Sequence, residues 1–126
     1  MVGQKSILIV EDEPLIAMML EDFLESLGHA VVGTCESLED ALAWVQAGGF
    51  DLAIIDVQLK DGKQIWPVAD RLAESGTPFI LATGGHVDPP PGKHARAPVL
   101  SKPYTIDAIE PALAQAWAGW SAAAGG

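Results

Sequence analysis

The feature that most constrains this chain is a regular alternation of short β-rich apolar runs with longer stretches whose apolar residues recur at the helical period. Ile7 to Val10 predicts the first strand. After Glu13 and Pro14, residues Leu15, Ile16, Met19, Leu20, Phe23, Leu24 and Leu27 are read onto one helical face, with Glu21, Asp22 and Glu25 opposite. Pro14 suits the first turn of that helix and Gly28 its end. Ala30 to Cys35 predicts a second strand, and Ser37 opens a capping-box-like start for a helix carrying Leu38, Ala41, Leu42 and Val45, closed by Gly48 and Gly49. Leu52 to Ile55 lacks any polar residue, as expected where helices cover both faces of a parallel sheet. A third helix is expected from about Lys63 to Glu74 with Ile65, Val68, Ala69 and Leu72 inward, and Pro67 forces it to begin late or to bend. Pro78 to Ala82 and Val99 to Leu100 predict strands four and five. The last helix follows Thr105 as N-cap and carries Ile106, Ile109, Leu113, Ala116 and Trp117, with Pro111 either kinking it or lying near its start. Gly84 to Pro98 breaks the pattern: two adjacent glycines and the prolines 89–91 cannot sustain an ordinary helix, so the fourth helix of the set is expected to be missing, reduced to a turn or disordered.

A length of 126 residues accommodates one domain and not two, with a core at about 5–118 and a flexible tail at 119–126 that should fray from Ser121. Seven Lys and Arg against 17 Asp and Glu leave a net charge of −10, which disfavours nucleic acid and anionic membranes as partners and favours proteins, cations or basic groups. No apolar run approaches the roughly 20 residues of a membrane span, and the N-terminus lacks a signal peptide's apolar stretch, so a soluble, cytoplasmic, monomeric protein is expected. The single cysteine, Cys35, permits neither an internal disulfide nor a cysteine zinc site, and its neighbours Val31 and Val32 predict a buried, inert thiol.

Alternating strands and helices imply an α/β fold with right-handed crossovers, in which ligands bind beyond the carboxyl ends of the strands. Strand one ends in Glu11 and Asp12, strand three in Asp56, strand four in Thr83, and strand five in Ser101, Lys102 and Pro103. Singly, each has an ordinary explanation: acidic residues that complement a helix dipole, a loop aspartate, a turn threonine, a solvated lysine. Jointly they aim three carboxylates, a hydroxyl and an ammonium into one crevice. Crowded carboxylates retain a proton or favour a cation, and a hard ion such as Mg²⁺ suits them because it keeps several waters and leaves an edge for phosphate oxygens.

These segments, Ile7 to Pro14, Leu52 to Gly62, Leu81 to Gly84 and Leu100 to Tyr104, resemble the receiver domain of two-component response regulators from Ile7 to about Trp117. The resemblance implies a flavodoxin-like, doubly wound, five-stranded parallel sheet in the order 2-1-3-4-5. It also implies phosphoryl transfer to Asp56 from a sensor histidine kinase or phosphotransfer protein. By the same resemblance Asp12, Asp56 and the backbone carbonyl of Gln58 bind Mg²⁺, Glu11 holds a metal-bound water or orients the set, and Thr83 and Lys102 contact phosphoryl oxygens. Phe79 to Gly84 further resembles the single-domain FAT GUY subfamily, though Leu81 replaces the motif's Phe, and Gly85 and His86 stand where an apolar residue and Tyr are usual. Two other positions depart from the family. Lys60 replaces the usual Pro after the phosphoacceptor, and Val99 stands where an aromatic switch residue is normal, so Tyr104, His86 or ordering of the Gly84 to Pro98 loop must serve instead. Pro103 is read either as following a cis peptide that aims Lys102 or as a simple turn.

The leading reading is a stand-alone response regulator that signals through a downstream protein partner or shuttles phosphoryl groups, a phosphoacceptor rather than a classical enzyme. The alternative is a receiver-like interaction module independent of phosphorylation. A haloacid-dehalogenase type of hydrolase would need a second aspartate two residues after the nucleophile, where Gln58 stands. His29, His86 and His94 lack ligand spacing and read as loop histidines, Trp117 and Trp120 lie three apart with one expected in the core, and Lys93, His94 and Arg96 form a small solvated basic cluster.

Overall fold

A computed structural model describes residues 5–57, 59, 64–84, 92, 97–102 and 104–125. In chain order the elements are β1 (Ser6–Val10), α1 (Pro14–Ser26), β2 (Ala30–Cys35), α2 (Leu38–Ala47), β3 (Leu52–Asp56), α3 (Trp66–Glu74), β4 (Phe79–Thr83), β5 (Val99–Ser101) and α4 (Ile106–Gly125). The strands form one parallel sheet in the order β2-β1-β3-β4-β5, the flavodoxin-like arrangement. Ile7, Ile9, Leu52 and Ile54 project to one face and pack with Leu20 and Leu24 of α1 and Ile109 and Leu113 of α4. The alternate residues Leu8, Val10, Ala53 and Ile55 project to the other face, against Ala41 of α2 and Val68, Ala69 and Leu72 of α3. Both faces are therefore covered, which is why β3 is buried along its whole length and carries no polar residue before Asp56.

Local chemistry sets the helix boundaries. Ser37 Oγ accepts a hydrogen bond from the Asp40 N–H at 3.1 Å and caps α2. α3 begins late, at Trp66, which leaves Pro67 in the first turn where its missing N–H costs nothing. α4 starts at Ile106, with the Thr105 carbonyl accepting from the Ala108 N–H at 3.0 Å, and runs through Pro111 as one helix. Its backbone is helical to Gly125.

Two apolar residues assigned inward lie outside instead. Leu15 is 81% exposed, because the buried stripe of α1 is centred on Ala17, Leu20 and Leu24, and Leu15 lies about 160° around the helix from Ala17. Ile106, the first residue of α4, is 37% exposed. The segments 60–63, 85–91 and 93–96 lie outside the described residues. With them go Lys60, Gly62, Lys63, Gly85, His86, Lys93, His94 and Arg96, the missing-helix expectation and the idea of an ordering loop. Among the described residues no helix stands between β4 and β5, and none is long and apolar enough to cross a membrane.

His29 is more than a loop histidine. It is 4% exposed at the turn between α1 and β2, after Gly28 at φ 90°, and its Nδ1 accepts a hydrogen bond from the Lys5 N–H at 3.1 Å. That bond places the ring proton on Nε2, which donates to Glu110 Oε1 of α4 at 2.5 Å. The Lys5 ammonium in turn lies 3.7 Å from the centroid of the Trp117 ring, so α4 is tied twice to the start of β1. Nothing in the spacing of residues 29 and 110 along the chain signals this pairing.

Cys35 is 2% exposed at the end of β2, and burial, with a smaller contribution from the Asp40 charge, pushes its thiol up to about 11. At pH 8 only about one molecule in a thousand would then carry the thiolate that reacts with alkylating agents. Native protein at pH 8 is expected to resist iodoacetamide over hours and to be alkylated fully once unfolded in guanidinium. Rapid labelling of the native protein, read by intact mass, would contradict the buried placement.

Candidate functional site

The carboxyl ends of β1 and β3 and the residue just after β5 deliver charged side chains to one point. Glu11 follows β1, its N–H donating to the Cys35 carbonyl at 2.9 Å, which continues the β1–β2 ladder one residue past the strand. It is 1% exposed. Asp56 is the last residue of β3, 6% exposed and in register with Ala82 of β4. Lys102 follows β5 and is fixed at its backbone by donating to the Thr83 carbonyl at 2.8 Å. The side chains of Glu11, Asp12 and Asp56 bring one carboxylate oxygen each to within 4.8 Å of one another.

The ammonium of Lys102 lies 2.7 Å from Asp56 Oδ2 and 2.7 Å from Glu11 Oε1. It donates a hydrogen bond to Asp56, whereas its approach to Glu11 is a charge contact off the hydrogen-bonding direction. Glu11 Oε1 is thus buried and ion-paired but has no hydrogen-bond donor. The other oxygen, Oε2, accepts from the Glu13 N–H at 3.2 Å. Burial pushes the Glu11 carboxyl above its usual range, with the Asp56 charge adding to it and Lys102 opposing. For Lys102 burial acts downward, but the attraction of Asp56 and Glu11 outweighs it and holds the ammonium above its ordinary value. The lysine is therefore charged at any physiological pH. One cation faces three acidic groups, and an electron-rich, partly unsatisfied cluster of hard oxygens is a fit for a divalent cation.

Thr83 ends β4 in register with Ser101, one residue beyond the level of Asp56, so its strand delivers it to the same edge of the sheet. Tyr104 is 5% exposed in the core between the sheet and α4, and its hydroxyl is pushed up by burial and then by the charges of Glu11 and Asp56. An aromatic ring thus already sits inside beside the acidic cluster, while Val99 is 52% exposed on β5. The structure brings Glu11, Asp12, Asp56 and Lys102 together as the sequence anticipates. Gln58 and Pro103 lie outside the described residues, as does the side chain of Trp120. The packing of Tyr104 against the site was legible only as its position two residues after Lys102.

A parallel five-stranded sheet in this order, with an acidic cluster and a lysine at its carboxyl edge, defines a receiver domain. The chain belongs to the response regulator receiver domain family, which matches residues 7–113. Among solved structures it is similar to SdrG from Sphingomonas melonis Fr1 in solution, with 50% identity, 93% of this chain and 99% of that one covered, and a TM-score of 0.82. The BeF3-activated conformation of SdrG from Pseudomonas melonis Fr1 is also similar, at 53% identity over 87% of this chain and 93% of that one, with a TM-score of 0.75. The phyllosphere-induced regulator PhyR of Methylorubrum extorquens is 40% identical over 79 residues, 61% of this chain and 30% of that protein. The match thus spans less than a third of that curated relative's length.

Because ionised Glu11 is disfavoured chiefly by burial, Glu11→Gln is expected to stabilise the metal-free protein at pH 7, raising Tm by roughly 2–5 °C. The sign follows from the raised pKa, since the folded state binds the proton more tightly than the unfolded one and loses stability as pH rises and the carboxyl ionises. Saturating Mg²⁺ should stabilise the parent more than the variant. Thermal melts with and without Mg²⁺ check both, and a variant that melts below the parent without metal would refute this account.

Proposed function

We propose that the domain accepts a phosphoryl group on Asp56 from the phosphohistidine of a sensor histidine kinase or phosphotransfer protein, and passes the signal to a downstream protein partner. The observation that carries this reading is the position of Asp56. It is a strand-end carboxylate that is nearly buried, held by Lys102 at 2.7 Å, and flanked by Glu11 and Asp12. In the transfer the P–N bond of the donor breaks as a P–O bond to an Asp56 oxygen forms, and the departing imidazole nitrogen keeps the electron pair. Such a transfer requires in-line positioning and charge neutralisation more than additional reactive groups.

Glu11, Asp12 and Asp56 would hold Mg²⁺, joined by the backbone carbonyl of Gln58 as the family resemblance implies. Bound there, the ion would neutralise charge on the phosphoryl oxygens. Lys102, freed from one of its two carboxylate contacts, would bind a phosphoryl oxygen as a compact cation, and the Thr83 hydroxyl would donate to another. The domain thereby promotes its own modification, without turning over a separate substrate as an enzyme does. The similarity to a BeF3-activated SdrG supports this reading, because beryllofluoride on a carboxylate imitates an acyl phosphate. A module that docks without phosphorylation would have no use for the burial of Glu11 and Asp56 around a single lysine.

Incubation with acetyl phosphate and Mg²⁺ is expected to add one phosphoryl unit to the intact mass. Asp56→Asn should add none, and excess chelator should suppress labelling of the parent. Equal labelling of the Asn variant, or labelling undiminished by chelator, would refute the assignment.

A further inference from the structure

We propose that Gly84 is a positioning residue for Lys102, and that its missing side chain sets where the lysine ammonium stands. The topology poses the problem. Lys102 leaves β5, Asp56 leaves β3, and β4 lies between them in the sheet. Two strand spacings are about 9–10 Å, so the lysine can reach Asp56 only by laying its stem across the end of β4. Gly84 is the first residue after β4, and the crossing occurs there. A Cβ built on Gly84 would stand 3.3 Å from Lys102 Cδ, 3.4 Å from its Cβ and 3.7 Å from its Cγ, with no other group among its three nearest contacts.

The lysine has little freedom to yield. Its N–H is bound to the Thr83 carbonyl at 2.8 Å, its ammonium is held at 2.7 Å by both Asp56 and Glu11, and its side chain is only 15% exposed. A methyl group at position 84 therefore displaces the stem of a side chain anchored at both ends, and the displacement is transmitted to the ammonium. The backbone does not itself demand glycine here. The left-handed glycines among the described residues are Gly28, Gly48, Gly49 and Gly76, so Gly84 adopts a conformation open to any L-residue. A substitution at this position accordingly reads the lysine contact and not backbone strain.

This inference rests on Asp56 being the phosphoacceptor, and the test separates the two. Gly84→Ala and Gly84→Val are compared with the parent, and Gly84→Ala is repeated in a Lys102→Ala background. Gly84→Ala should slow labelling by acetyl phosphate by roughly tenfold and Gly84→Val more, while the Mg²⁺ dissociation constant stays within about twofold and Tm does not fall. The side-chain ¹H–¹⁵N signal of Lys102 should shift in both variants before any phosphodonor is added. In the Lys102→Ala background the added methyl should have no further effect on labelling, because the group it displaces is gone. Gly84→Ala labelling at the parental rate with the Lys102 signal unmoved, or equal slowing with and without the lysine, would overturn the proposal. Absence of labelling in the parent would refute the phosphoacceptor reading instead, and the Lys102 signal would still decide the role of Gly84.

Discussion

The contact on which the site depends is the sharing of one ammonium between two nearly buried carboxylates. Without Lys102, Glu11 and Asp56 would face each other across a few ångströms with little solvent to screen them, and at least one would have to take up a proton. With it, an ammonium stands against both, and acidic groups still outnumber it once Asp12 is included. The lysine thus offsets part of the repulsion between the carboxylates while leaving the site incomplete in charge. Such a surplus of hard oxygen ligands is chemistry that suits a divalent cation.

The sheet order makes this contact geometrically demanding. Asp56 and Glu11 belong to adjacent strands, whereas the lysine belongs to a strand once removed, so the ion pair spans β4 and ties three layers of the carboxyl edge together. The chain segment that carries Lys102 runs on through Tyr104 into α4, whose Glu110 and Trp117 contact His29, just before β2, and Lys5, just before β1. α4 is thus linked through the chain to the lysine, and by a hydrogen-bonded histidine and a cation–π contact to the amino ends of β2 and β1.

Legibility in the sequence follows the range of the interactions. The strands and the inward faces of α2 and α3 could be read because they depend on local period and caps: Ile65, Val68, Ala69 and Leu72 are all fully buried, and Ser37 caps as its neighbours suggest. The site could be read because a parallel sheet puts every strand end on one side, so Glu11, Asp12, Asp56 and Lys102 converge whatever the details of packing. The helix phase of α1 was misread at Leu15, where hydrophobicity outvoted angular position. The His29–Glu110 bond, the burial of Tyr104 and the crossing of Lys102 over Gly84 were illegible for a common reason. Each depends on the third dimension bringing together residues whose separation along the chain carries no pattern.

The two ionisable groups at the heart of the site also pull stability in the same direction as pH rises, but over different windows. Glu11, with its carboxyl held above the usual range, is accommodated best when protonated, so folding loses stability as the pH climbs through its folded-state value. Lys102, with its ammonium held above its ordinary range, contributes stability throughout neutral pH and loses it only in strong alkali. In both groups the attraction between ammonium and carboxylate works against the desolvation of the two partners. Beneath them lies the apolar sheet, with β1 and β3 buried almost throughout. A chain selected for stability alone would replace Glu11 with a neutral residue. A carboxylate in a fully covered position is an arrangement that packing alone does not favour.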